Sequence, residues 1–146
     1  MKLKVYTDGS FNSKVQTVGW AYILVNEHGR ICHEEQGYSI DPKIVSMHNY
    51  SGELLAAWYA ITDIIGSLTS YREPTEVTVY HDYEGVGAWP TGKYKKPGND
   101  FSKWYRDQMI AAGEMIDIDY VWVKGHSGNE YNEKVDKMAK KACGLL

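Results

Sequence analysis

Four carboxylates stand where a folded chain would not leave a charge without a partner. Asp8 follows the apolar run in L-K-V-Y-T-D-G-S, Glu53 falls at the head of S-G-E-L-L-A-A-W-Y-A-I, Asp82 follows V-T-V-Y-H, and Asp136 lies in N-E-K-V-D-K-M-A. A carboxylate at the margin of an apolar element is unfavourable unless something compensates it, and carboxylates that converge are best compensated by a hard cation. An all-oxygen donor set suits Mg2+, with Mn2+ as a substitute. Two such ions at one site activate water and stabilise the leaving oxygen of a phosphodiester. The residue types therefore point to a metal-dependent nuclease. Each acid also has an ordinary reading. Asp8 and Asp82 could initiate turns, Glu53 in the first turn of a helix could complement its dipole, and Asp136 could pair with Lys140 at i+4.

The elements that must position these acids are legible from periodicity. Residues 3–7 and 19–25 are apolar, β-branched or aromatic, and Asn26-Glu27-His28-Gly29 supplies turn chemistry before residues 30–38 resume, giving strand, strand, hairpin and strand. Asp41-Pro42 begins a loop. From Gly52 the spacing becomes helical, with Leu54, Ala57, Trp58, Ile61, Ile64, Ile65 and Leu68 on one face. Residues 76–80 alternate as a strand, residues 85–99 are punctuated by Gly and Pro, and residues 100–112 are helical again. A last strand at 118–123, a loop at 125–129 and a closing helix marked by Val135, Met138, Ala139 and Ala142 complete the chain. Opening hairpins are antiparallel and helix crossovers return strands in parallel, so the sheet should be mixed. The helix from Gly52 should pack on it.

Length and charge narrow the partners. A chain of 146 residues can bury one sizeable core, so residues 1–146 read as a single domain. The 19 acidic side chains exceed the 16 basic ones, which argues mildly against a phosphate-gripping protein and leaves local charge to decide. Cys32 and Cys143 lie far apart and form no C-x-x-C motif, as expected of two thiols in a reducing compartment. No apolar run approaches bilayer length, so a soluble cytoplasmic monomer with no membrane partner is expected.

Y-T-D-G-S, G-E-L-x-A-A, H-D-Y-E-G and V-K-G-H-S-G-N-E-Y-N-E-K-V-D, in this order and with these intervening elements, resemble type 1 ribonuclease H over essentially the whole chain. The resemblance implies an α/β ribonuclease H-like fold, a mixed five-stranded sheet with helices on both faces. It implies an endonuclease that cleaves the RNA strand of RNA–DNA hybrids with two divalent ions, leaving 5′-phosphate and 3′-hydroxyl ends. Asp8 would bridge both ions, one shared with Asp136 and the other with Glu53 and Asp82. His126, between Gly125 and Gly128, would assist proton transfer to the leaving group or product release.

The same resemblance extends to substrate contacts. Asn49 matches the family's groove-contacting asparagine; Asn132, and Asn12 and Gln16 in the loop after Asp8, are further candidates for hydrogen bonds near the acids, an ordinary polar turn being the alternative for the last two. His48 stands where many relatives place a threonine that contacts DNA phosphate, a departure from the family's phosphate pocket. Lys95, Lys96 and Trp104 belong to a basic, aromatic-rich stretch in the position of the family's basic protrusion, compressed here and interrupted by Pro90 and Pro97. Three other classes share parts of this pattern. A non-catalytic hybrid-binding module should have lost an acid, a related polynucleotidyl transferase should lack the G-H-S-G-N loop, and a proofreading exonuclease should carry an acid where Ser10 stands.

Overall fold

The computed structural model describes residues 1–67, 75–123 and 128–146. Along the chain run β1 Lys2–Asn12, β2 Thr17–Val25, β3 Ile31–Ser39, α1 Pro42–Val45, α2 Asn49–Ser67, β4 Glu76–His81, α3 Gly85–Ala88, α4 Asp100–Gly113, β5 Asp117–Trp122 and α5 Glu130–Ala142. The strands form a sheet in the order β3-β2-β1-β4-β5. β1, β2 and β3 pair antiparallel, whereas β1, β4 and β5 pair parallel. This is the mixed five-stranded sheet expected from hairpins followed by helical crossovers.

Both faces of the sheet are covered. Leu54, Ala57, Ile61 and Ile64 of α2 pack against Val5, Tyr22, Leu24, Val77 and Val79, and Val135 and Ala139 of α5 pack against Tyr6, Ala21, Ile23 and Val25 on the opposite face. β2 is consequently buried along its whole length, which explains its nearly unbroken apolar run. β3 forms an exposed edge, and its His33, Glu34 and Glu35 discourage pairing with another chain.

Several expected boundaries shift. β1 does not end near residue 7. Its pairing with β2 continues from Asp8 opposite Ala21 to Asn12 opposite Thr17, while its pairing with β4 stops at Tyr6 opposite Tyr80. Asp8 therefore lies inside a strand, at the point where that strand loses one neighbour. α2 starts at Asn49 rather than Gly52, so Glu53 is one turn further in and does not serve the helix N-terminus. The polar start is tied back to the preceding turn, since the buried Ser51 hydroxyl reaches the Ile44 carbonyl at 2.6 Å and the His48 carbonyl at 2.9 Å. Asp41-Pro42 opens a short helix rather than a loop, with the Asp41 carboxylate accepting the Lys43 N–H at 2.9 Å. Within 85–99 the helical content is confined to α3. Leu68 and most of the 125–129 loop, including His126, lie outside the described residues.

Close backbone approach sets the spacing of the layers. A Cβ on Gly9 would come within 2.4 Å of the Asn49 carbonyl oxygen and the Glu53 nitrogen, and one on Gly19 within 2.2 Å of the Ala139 carbonyl oxygen. Only hydrogen fits at either position. α2 and α5 thus lie directly on β1 and β2 at the end of the sheet where Asp8 emerges.

Candidate active site

Each acid reaches the site by a different route. Asp8 projects where β1 has passed the end of its pairing with β4, and Asp82 is the first residue beyond β4. The carboxyl ends of parallel neighbours form the usual binding crevice of such sheets. Asp82 is fixed through its backbone, whose carbonyl accepts the Trp122 indole N–H at 2.7 Å. Glu53 enters from α2 on one face, and Asp136 from α5 on the other.

The four carboxyls meet. Asp8 lies within hydrogen-bonding reach of both Asp136 and Glu53, and Glu53 also feels the charge of Asp82. Glu53 is 2 % exposed, and among the described residues neither of its carboxyl oxygens makes a well-formed hydrogen bond. Burial, followed by the field of Asp8, its shared contact with Asp8 and the field of Asp82, holds its carboxyl well above the ordinary range, with only the polarity of the nearby Tyr83 backbone opposing. Burial and the contact with Asp136 push Asp8 up to about 7, although the Gly9 N–H donates to it at 2.8 Å. Asp136 keeps a cation beside it, Lys140 at 3.0 Å one turn along α5. The ordinary i,i+4 reading of Asp136 is thus realised together with convergence on Asp8.

Such a cluster is poised to take up positive charge. Raised carboxyl pKa values favour the protonated fold, so this contribution to stability is complete below about pH 4 and is lost as pH rises through about 7. A divalent cation would supply the positive charge that the protons no longer provide above that range. The expected outcome is that Mg2+ raises the Tm little at pH 5 and clearly at pH 8, measured by thermal melting. A Mg2+ effect of constant size across that interval contradicts this electrostatic account.

The other expected site residues divide. Asn49 and His48 line an open cleft with Asp8, Gly9, Asp82, Asp136 and Lys140. Asn132 lines an adjoining depression with Thr7, Asp8, His81 and Asp82. Asn12 is elsewhere engaged: it is buried, its amide donates to the Cys143 carbonyl at 2.9 Å, and its oxygen accepts the Lys14 N–H at 3.1 Å. That side chain ties the end of β1 to the C-terminal segment and is not available to a ligand. Lys95 borders a separate hollow formed with Trp89, Tyr94 and Arg106, and the Lys96 carbonyl accepts the Trp89 indole N–H at 3.1 Å. Trp104 on α4 packs beside Trp58 of α2 and Phe101. Sequence reasoning missed the part played by Gly9 and by Gly52, where a Cβ would come within 2.4 Å of the Gly19 carbonyl oxygen. Both stand beside an acid in the motifs, which was the available signal, but a need for contact space cannot be told from turn chemistry without the partner helix.

Comparison with known proteins agrees with this geometry. The RNase H family model matches residues 1–144. A ribonuclease H of Treponema denticola is 28% identical, covering 98% of this chain and 98% of its own length. A ribonuclease H of Gluconobacter oxydans is 31% identical over 94% of this chain and 89% of its own. Among solved structures, LC11-RNase H1 in complex with RNA/DNA hybrid superposes with a TM-score of 0.75 at 20% identity, covering 97% of this chain and 96% of that one. RNase H1 from Halobacterium salinarum gives 0.76 at 17% identity, covering 97% of each. With a match over nearly its whole length and four carboxyls meeting at the expected end of the expected sheet, the chain belongs to the RNase H family.

Proposed function

We propose that this protein is an endonuclease that hydrolyses the RNA strand of RNA–DNA hybrids, leaving 5′-phosphate and 3′-hydroxyl ends. The observation that carries the reading is the buried Glu53 carboxyl, with no well-formed hydrogen bond to either oxygen among the described residues and two further aspartates acting on it. A group in that state is satisfied by a cation. The all-oxygen donor set of Asp8, Glu53, Asp82 and Asp136 suits two Mg2+ ions, or Mn2+. Such ions, when bound, supply activation of water and stabilisation of the departing ribose oxygen. The residues themselves supply placement. Asp8 stands between the α2 and α5 acids, and the Asp82 backbone is held by Trp122.

Recognition is proposed along the same cleft. Asn49 at the head of α2 and Asn132 in α5 present amides that can read ribose 2′-hydroxyls. Lys140 offers positive charge beside Asp136. Lys95 and Lys96, both exposed, and the partly exposed Trp104 are proposed to follow the DNA strand. His126 is assigned proton transfer to the leaving group or product release. The hybrid bound by LC11-RNase H1 supports the substrate class. The chain is proposed to act as a single-domain monomer in the cytoplasm. Among the described residues both cysteines are free, and no helix is long and apolar enough to cross a membrane.

Incubation with end-labelled RNA–DNA hybrid, RNA duplex and DNA duplex in Mg2+ tests the reading. Cleavage is expected in the RNA strand of the hybrid alone, falling steeply as salt rises because phosphate contacts release counterions. Equal cutting of all three duplexes, or full activity after Asp82→Asn, defeats it.

A further inference from the structure

A second donor cluster lies away from the four acids. His33 and Glu35 are alternate residues of β3 and therefore share a face of the sheet, the face that α2 covers. Asp63 comes from α2. One ring nitrogen of His33, one carboxylate oxygen of Glu35 and one of Asp63 all lie within 4.8 Å of one another. His33 Nε2 stands 3.2 Å from Glu35 Oε1. Among the described residues no lysine or arginine forms an ion pair with either carboxylate.

The cluster is supported from beneath. Tyr22 is fully buried, and its hydroxyl donates to Asp63 Oδ2. The Tyr22 ring also lies beside the His33 ring, with centroids 6.0 Å apart. Burial and the neighbouring Asp63 and Glu35 push the Tyr22 phenol up, so it stays a donor and orients the carboxylate. A donor beneath a ligand carboxylate, fixing its direction, is the usual outer support of a metal site. The outer sides of His33 and Glu35 remain open to solvent, leaving room for water to complete a coordination shell.

We propose that His33, Glu35 and Asp63 form a binding site for a borderline transition-metal ion, Zn2+ in the first instance, that fastens the edge strand β3 to α2. Imidazole nitrogen and carboxylate oxygen are both Zn2+ donors, and three protein ligands leave a fourth position for water. The nitrogen donor distinguishes the site from the all-oxygen cluster and favours Zn2+ over Mg2+. Because α2 also carries Glu53, an ion here stiffens the helix that delivers one of the four acids.

The test uses the full chain carrying Asp8→Asn and Asp82→Asn, which weakens binding at the acid cluster, with Zn2+ as the only added probe in a Mg2+-containing buffer. Equilibrium dialysis should find one Zn2+ per chain. Adding His33→Gln, or separately Glu35→Gln, should weaken that binding by about tenfold or more and remove the accompanying rise in Tm. Both positions are exposed on an edge strand, so the fold survives either change. Failure of the doubly substituted chain to bind Zn2+, or undiminished binding after His33→Gln, overturns the proposal and leaves an ion-paired imidazole between two carboxylates.

Discussion

Replacing Asp8 by Asn is expected to lower the rate of hybrid cleavage by at least about 10³-fold while making the metal-free protein more stable at neutral pH. The two effects share one cause. Asp8 touches Glu53 and Asp136, and burial with those contacts pushes its carboxyl up to about 7. Above that pH the native state confines negative charge that the unfolded chain disperses into solvent, at a cost on the order of 2–4 kcal/mol. Asparagine has nearly the same shape and no charge, so the repulsion disappears. The same substitution removes a central oxygen donor from any cation held between α2 and α5. Thermal melting at pH 8 without divalent ions, together with single-turnover cleavage in Mg2+, checks both halves. A variant that loses activity and stability together would show Asp8 to be a structural residue instead.

Gly9→Ala should be nearly as damaging, although it removes no chemical group. The added methyl carbon would lie 2.4 Å from two backbone atoms of α2, and backbone cannot swing aside as a side chain can. The helix must move off the sheet. Overpacking of this kind costs about 1–3 kcal/mol. Because Glu53 rides on the displaced turn, a shift of about 1 Å should reduce kcat by about 10²-fold. Gly66→Ala is the matching control in the same helix. A Cβ there meets nothing within 4 Å, so it should stabilise by about 0.4–1 kcal/mol and leave cleavage unchanged. Paired melting curves and kcat measurements distinguish a spacing role from a general intolerance of change.

Much of the site was readable because it is written in residue types. Asp8, Glu53, Asp82 and Asp136 are conspicuous where they stand, and helical or alternating periodicity located the elements that carry them. Boundaries were less legible. β1 continues to Asn12 through its pairing with β2, and the polar start of α2 is stabilised by Ser51 bonding back to residues 44 and 48. Neither the strand pairing nor the Ser51 contact to Ile44 shows in a helical or alternating pattern. The substrate residues show the same divide. Asn12 and Asn49 look alike in sequence, yet one is spent on the Cys143 carbonyl and the other lines the cleft.

The sequence by itself determined the inventory: which acids exist, which elements bear them and the order of strands and helices. Tertiary structure alone decided that β1 outruns β4 at Asp8, that glycine contacts bring α2 and α5 onto the same sheet end, and that among the described residues the buried Glu53 carboxyl is left without a well-formed hydrogen bond. The physical reason is range. Propensity and periodicity act over a few neighbouring residues, whereas repulsion among carboxyls, and the space a missing methyl opens, exist only between segments that folding has brought together.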